Sequence, residues 1–181
     1  ICIEDPLRKE ASDVIRALRK EGFQKIVMMT GDSERTAKAI AEEVGVDTYY
    51  AEVLPEDKAA YIQKEREHGQ TVVMVGDGIN DSPALSEANV GIAMQEGAEI
   101  AREIADITIS GECLMELVNL RRLSHAMMKR IQQNYHSILG VNGGLILLGV
   151  AGIIQPTTSA LFHNLTTLIL GLPSRPHLLP E

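Results

Sequence analysis

The chain has 181 residues, a formal net charge of −8 at pH 7 and an isoelectric point near 5.2. This length allows one domain of ordinary size with an appended segment. The acidic balance argues against nucleic acid as a partner, because nucleic-acid binding needs a basic surface. The two cysteines, Cys2 and Cys113, stand far apart without Cys-x-x-Cys spacing, so the sequence predicts neither a disulfide framework nor a zinc site.

The first residues indicate that the chain begins inside a domain. It starts at Ile1 with no initiator methionine or signal peptide, and residues 1–3 already have the composition of a strand, so we expect a fragment. After Asp-Pro-Leu-Arg at 5–8, apolar residues recur at helical spacing up to Gly22, which predicts a helix with one buried face.

The second predicted strand, Lys25 to Met29, runs directly into Thr30, Gly31 and Asp32, and Ser33 stands near the start of the next helix. A hydroxyl at the end of a strand, with backbone amides at a helix N-terminus, can hold phosphate. The alternative is that Thr30 and Ser33 only cap the helix.

A further helix is predicted from Pro55, which suits a first turn, to about His68. It carries Lys58. Taken by itself, a helix lysine is most simply a solvated one.

The segment 72–85 is the most informative stretch of the chain. A run rich in β-branched residues stops at Gly76 and delivers Asp77, Asn80 and Asp81 into the turn before the next helix. Carboxylate and amide oxygens suit Mg²⁺, and the end of a parallel strand is the usual place for a site in an α/β sheet. The alternative is a plain turn.

Strands and helices continue to alternate as far as Ile109, and this alternation predicts a parallel sheet with helices on both faces. In such a sheet Thr30, Lys58, Asp77 and Asp81 converge at one edge.

No charged residue occurs from Ile131 to Ser174, a length sufficient for two membrane spans, which we place at about 135–154 and 158–172. Basic residues before and after the hairpin predict that both ends are cytoplasmic. The alternative is a hairpin buried in a soluble core. Polar residues at membrane depth are candidates for an ion path or for hydrogen bonds between helices. They are Asn142, His163, Asn164, Thr166 and Thr167.

The ten residues 76–85, Gly-Asp-Gly-Ile-Asn-Asp-Ser-Pro-Ala-Leu, resemble the hinge motif of P-type cation-transporting ATPases, within the haloacid-dehalogenase-like superfamily. Asp-Pro-Leu-Arg at 5–8 and Thr-Gly-Asp at 30–32 resemble the same family. The hairpin with Leu-Gly-Leu at 170–172 is similar to the last two membrane helices of its heavy-metal (P1B) branch. The resemblance covers essentially the whole chain.

The resemblance implies an α/β fold with part of a haloacid-dehalogenase-like parallel sheet and its flanking helices, followed by an α-helical transmembrane hairpin. It divides the chain into half of the phosphorylation domain, a connecting amphipathic helix, the hairpin and a cytoplasmic tail, at 1–111, 112–132, 133–174 and 175–181. The protein would be integral to the membrane, most simply the plasma membrane, with the α/β part in the cytoplasm.

The implied activity is ATP-driven transport of a heavy-metal ion through an aspartyl-phosphate intermediate, in which metal and lysine stabilise charge on the phosphoryl oxygens. The implied catalytic residues are Thr30, Gly31, Asp32, Lys58, Asn80 and Asp81. Thr30, Gly31, Asp32 and Lys58 also contact the nucleotide phosphate, and Asp77 and Asp81 hold Mg²⁺. Asn142, His163, Asn164 and Thr167 could line the ion path. The implied partners are ATP, the transported ion, the lipid bilayer and the rest of the pump.

Two features depart from the family pattern. The Asp-Lys-Thr-Gly-Thr motif that carries the family's nucleophile is absent from these residues, so we expect the fragment alone to be inactive. Close to its C-terminus the chain has Pro-Ser-Arg-Pro at 173–176, where an Asn-Ser pattern is expected. The transported metal is not determined by the sequence. Two alternatives remain open, a membrane-tethered phosphatase of the same superfamily and an inactive fragment that associates with an intact pump.

Overall fold

The computed structural model describes residues 10–76, 79–94, 99–109 and 113–171. The predicted strand at 1–3, the motif at 5–8 and the predicted Mg²⁺ ligand Asp77 lie outside the described residues. The chain divides into two compact units, Ile1–Asn119 and Leu120–Glu181.

The first unit alternates helices and short strands, as predicted. In chain order its elements are α1 (Ala11–Lys20), β1 (Val27–Met29), α2 (Glu34–Val44), β2 (Thr48–Tyr50), α3 (Pro55–Glu67), β3 (Val73–Gly76), a 3-10 turn (Ile79–Asp81), α4 (Ser82–Glu87), β4 (Val90–Met94), α5 (Glu99–Ile104) and β5 (Ile107–Ile109).

All strand pairs within the described residues are parallel, which confirms the predicted sheet type, but these strands form two sheets. β1 pairs with β2, and β3, β4 and β5 form the second sheet in that order. In the part of the chain that the structure describes, β1 and β3 are not hydrogen-bonded to each other. The carboxyl ends of both strands nevertheless meet at one cleft.

Small residues let the helices pack closely on the strands. The buried apolar residues of the first unit include Ala37, Ala41, Ile62, Ala84, Leu85, Ile92, Ala93 and Val118. At Gly91 in β4, a Cβ atom would lie only 2.7 Å from the carbonyl oxygen of Leu85 in α4. Glycine is therefore required where α4 crosses β4, because backbone faces backbone there.

Two helices follow in the remaining described residues. α6 runs from Met115 to Val150 and α7 from Pro156 to Gly171. Gly152, with a φ of +71°, lies in the turn between them, and Pro156 occupies the first position of α7, where its missing N–H costs nothing.

The predicted transmembrane hairpin is not supported. No helix within the described residues is both long and apolar enough to cross a membrane. The described part of α7 has 16 residues. At about 1.5 Å per residue this part is roughly 24 Å long, and a hydrocarbon core is about 30 Å thick. The first half of α6 carries Arg121, Arg122, Lys129 and Arg130, and the polar run 132–137 precedes its apolar end.

Candidate active site

A cleft of about 420 Å³ opens at the carboxyl ends of β1 and β3, and it draws its lining from both sheets. Four of the residues predicted from the sequence line it, namely Thr30, Gly31, Lys58 and Asp81. The remaining lining residues are Met29, Met74, Val75, Gly76, Met94 and Leu114. The structure therefore brings three of the four residues predicted to converge, Thr30, Lys58 and Asp81, into one cleft, but between the strand ends of two sheets; the fourth, Asp77, lies outside the described residues.

The loop after β1 is held by the loop after β2. The Thr30 N–H donates to the Tyr50 carbonyl, and the Val53 N–H donates to the Thr30 carbonyl, both at 3.0 Å. The Glu52 N–H donates to the Asp32 carbonyl at 2.9 Å, and Glu52 adopts a φ of +52° to make this turn. A non-glycine residue in this region is uncommon and is held there by its surroundings.

The Thr30 hydroxyl is oriented by Asp32. It donates to Asp32 Oδ2 at 2.8 Å, and its oxygen accepts the Asp32 N–H at 3.1 Å. Ser33 is the N-cap residue of α2, but its side chain makes no capping hydrogen bond and instead lies 3.1 Å from the Thr36 hydroxyl. A purely capping role for Thr30 and Ser33 therefore does not describe this loop.

Lys58 and Asp81 form a partly buried ion pair in the cleft. Lys58 Nζ donates to Asp81 Oδ1 at 2.8 Å, and the two side chains are only 13% and 12% exposed. Lys58 lies in the first turn of α3 and Asp81 ends the 3-10 turn after β3. Lys58 is thus not a solvated helix lysine. An ion pair that is largely removed from water is stable only where good geometry and further hydrogen bonds offset the free-energy cost of desolvation.

Three predicted site residues are not part of the described cleft wall. Asp32 and Asn80 are exposed and do not line it, although Asp32 contacts Thr30. Asp77 lies outside the described residues. Among those described, no group of three or more histidine, cysteine or acidic side chains is arranged to hold a metal ion.

The cleft has the donors for phosphate and one carboxylate for a cation. A hydroxyl, a backbone amide and an ammonium group come from Thr30, Gly31 and Lys58, and Asp81 supplies the carboxylate. Mg²⁺ is usually held by one or two carboxylates together with substrate phosphate, so the residues present fit Mg²⁺ only in the company of a phosphate.

In the second unit, the structure brings two of the predicted ion-path residues together. The His163 Nδ1 atom lies 2.7 Å from Asn142 Oδ1, which links α7 to α6. The Thr166 hydroxyl donates to the Phe162 carbonyl at 2.8 Å, within its own helix. Asn164 is exposed, and the side chain of Thr167 lies outside the described residues.

The family model of haloacid dehalogenase-like hydrolases matches residues 1–89. The zinc-exporting P-type ATPase of Mycobacterium marinum is 42% identical over 165 residues, which are 91% of this chain and 22% of that protein. The copper-exporting P-type ATPase of Staphylococcus aureus is 43% identical over 156 residues, 86% of this chain and 19% of that protein.

Among solved structures, a zinc-transporting PIB-type ATPase in the E2.Pi state matches with a TM-score of 0.86 and 36% identity, over 92% of this chain and 27% of that one. The chain belongs to the heavy-metal branch of the P-type ATPases. It spans about a fifth of the length of the curated relatives that it matches. These relatives do not favour the alternative of a tethered phosphatase.

Part of the cleft wall of this P-type ATPase chain was not predicted from its sequence. Met29, Gly76 and Met94 are the last residues of β1, β3 and β4. Their positions at strand ends were a usable signal, since parallel strands end at a common edge. Leu114 comes from the far end of the unit, and no local pattern identifies it.

Proposed function

We propose that the chain is part of an ATP-driven exporter of a heavy-metal cation, and that the cleft holds the phosphoryl group of its aspartyl-phosphate intermediate. The partly buried Lys58–Asp81 pair, in the same cleft as Thr30 and Gly31, carries this proposal. A fixed ammonium group beside a hydroxyl and a backbone amide is suited to the charge on phosphoryl oxygens.

Each residue has a distinct role in this proposal. Thr30 and Gly31 hold phosphoryl oxygens, and Asp32 orients the Thr30 hydroxyl at 2.8 Å. Lys58 neutralises the charge that develops on the phosphoryl group. Asp81 fixes the Lys58 ammonium group, and Asn80 helps to orient this turn. Mg²⁺, held by Asp77 and Asp81 together with the phosphate, would supply further neutralisation.

The phosphoryl acceptor has to come from elsewhere in the protein. The sequence contains no Asp-Lys-Thr-Gly-Thr motif. Strand β1 belongs to one sheet and strand β3 to the other, and the carboxyl ends of both strands line the cleft. ATP binding likewise requires parts of the complete protein, which we place in a membrane with this cleft on the cytoplasmic side.

We place the transported ion near His163 and Asn142, with Asn164 and Thr167 as further members of the path. Because Nδ1 of His163 lies 2.7 Å from an amide oxygen, the ring is oriented and Nε2 points away from Asn142. Imidazole nitrogen suits zinc, copper and related divalent ions, so a transition-metal cation is the proposed cargo.

The test is acid-stable phosphoenzyme formed from radiolabelled ATP in the complete protein. Lys58→Met should lower its rate of formation by about 100-fold, the usual order for losing one transition-state donor. Lys64→Met, an exposed lysine on the same helix, is the matched control and should leave the rate unchanged. Normal labelling of Lys58→Met would show that the cleft is not the phosphoryl site.

A further inference from the structure

Glu10 binds a part of the chain that lies far from it in sequence. It is the N-cap residue of α1, where its carbonyl accepts the Val14 N–H at 2.9 Å, yet its side chain makes no capping bond to that helix. Instead Glu10 Oε1 accepts the Leu114 N–H at 2.7 Å, and Oε2 lies 3.8 Å from Cys113 Sγ. These contacts join residues more than 100 positions apart, and they are partly buried.

The Glu10 carboxylate provides an acceptor for a backbone N–H group at the start of α6. Leu114 directly precedes the first residue of this 36-residue helix, which is the N-cap position. In a capping box, a glutamate in the first turn of the helix accepts a hydrogen bond from the N–H of the N-cap residue. Glu10 supplies that carboxylate from α1. A negative charge at a helix N-terminus is also favoured by the helix dipole.

Leu114 is at the same time a wall residue of the cleft that contains Thr30, Lys58 and Asp81. Its backbone is fixed by Glu10 and its position bounds the cleft. We infer that Glu10 is a positioning residue of the phosphoryl site: its carboxylate holds Leu114 in the cleft wall and thereby fixes the first turn of α6 beside that site. This inference rests on the proposed function of the cleft.

Binding of a ligand in the cleft then stabilises the Glu10–Leu114 hydrogen bond. Because coupling between two sites is reciprocal, loss of this hydrogen bond lowers the affinity for the ligand by the same factor. One hydrogen bond to a charged group is worth about 1.5 kcal/mol, which corresponds to about a tenfold change in affinity.

The experiment uses the complete protein and orthovanadate with Mg²⁺ as the probe of the phosphoryl site. Glu10→Ala should raise the vanadate concentration for half-inhibition of ATP hydrolysis about tenfold, with the KM for ATP changed less than about twofold. Glu10→Gln keeps an oxygen acceptor at the same reach and should stay within about threefold of the wild-type protein. Asp13→Ala is the matched control, since Asp13 lies on the same helix and pairs with exposed Arg16.

Amide hydrogen exchange gives a second readout that does not depend on activity. The amides of residues 113–117 should exchange faster in Glu10→Ala and at the wild-type rate in Glu10→Gln. The inference is overturned if Glu10→Ala leaves inhibition by vanadate unchanged, whether or not amide exchange changes. It is also overturned if Asp13→Ala weakens inhibition by vanadate as much as Glu10→Ala does. Absence of vanadate-sensitive ATP hydrolysis in the wild-type protein would overturn the proposed function instead, and the exchange result would then stand alone.

Discussion

Gly76 and Asp81 are in close contact at the end of β3. A Cβ atom on Gly76 would lie 2.7 Å from Asp81 Cβ and 2.9 Å from its Oδ2. Contacts this short do not occur between real side chains, and Asp81 Cβ sits on the backbone and cannot rotate away. The absence of a side chain at Gly76 is therefore what allows the Asp81 carboxylate to reach Lys58.

Gly76→Ala should displace Asp81 and weaken its ion pair with Lys58. We expect the free energy of unfolding to fall by about 1–3 kcal/mol, the usual cost of forcing extra atoms into a packed site. Chemical denaturation monitored by circular dichroism measures this change. Gly143→Ala is the control, since a Cβ there meets nothing within 4 Å and favours the helix. Equal stability of both variants would contradict the close contact at Gly76.

Lys58 and Asp81 should be energetically coupled. Lys58→Met leaves the Asp81 carboxylate buried without its ammonium partner, and we expect a loss of about 2–3 kcal/mol in the free energy of unfolding, somewhat below the cost of breaking a fully buried pair. Asp81→Asn should lower the free energy of unfolding less in the Lys58→Met background than in the wild-type protein. The difference, which is the coupling energy of the double-mutant cycle, should be about 1–2 kcal/mol. Strict additivity of the two substitutions would mean that the pair contributes nothing.

The elements and the polar side of the cleft were predictable because they depend on local patterns. The βα alternation, the strand ends before Thr30 and Gly76, and the helix start at Pro55 each follow from neighbouring residues. Lys58 is the exception: its own helix gives no reason to bury it, and it was predicted through the family resemblance. Its contact with Asp81, 23 positions away, accounts for its low exposure.

What could not be predicted depends on contacts between distant parts of the chain or on length. The division of the strands into two sheets depends on which strand edges meet. The role of Glu10 depends on Leu114, far along the chain. The membrane hairpin was predicted from the absence of charge, but a span also needs continuous apolar length, and no helix within the described residues has it.

Asp47 should make the stability of the first unit sensitive to acid. Its carboxylate accepts the Ile26 N–H at 2.7 Å and an Arg19 hydrogen bond at 2.8 Å, and these contacts, the backbone one foremost, hold its pKa below the usual value. A carboxyl group with a lowered pKa in the folded state stabilises that state above its unfolded pKa of about 3.9, and this contribution is lost as the pH falls through the folded pKa.

Asp47→Asn should therefore be less stable than the wild-type protein at pH 7, and the difference should shrink as the pH is lowered below about 4. Thermal unfolding at a series of pH values measures it. Asp13→Asn, which removes a carboxylate from an exposed pair with Arg16, should change stability much less at pH 7. A stability difference for Asp47→Asn that is constant from pH 7 to pH 3 would rule out this linkage.

The Thr30 hydroxyl should matter for phosphoryl binding and not for folding. Its hydrogen bonds to Asp32 are exposed, so Thr30→Val, which keeps the shape of the side chain, should leave the unfolding transition nearly unchanged. In the complete protein the same substitution should weaken inhibition by orthovanadate about tenfold, the equivalent of one hydrogen bond to a charged oxygen, whereas Thr30→Ser should stay close to wild type. Thr36→Val removes a hydroxyl that lies 3.1 Å from the Ser33 hydroxyl at the start of α2 and serves as the control. Unaltered vanadate inhibition in Thr30→Val would remove Thr30 from the phosphoryl site while leaving Lys58 in place.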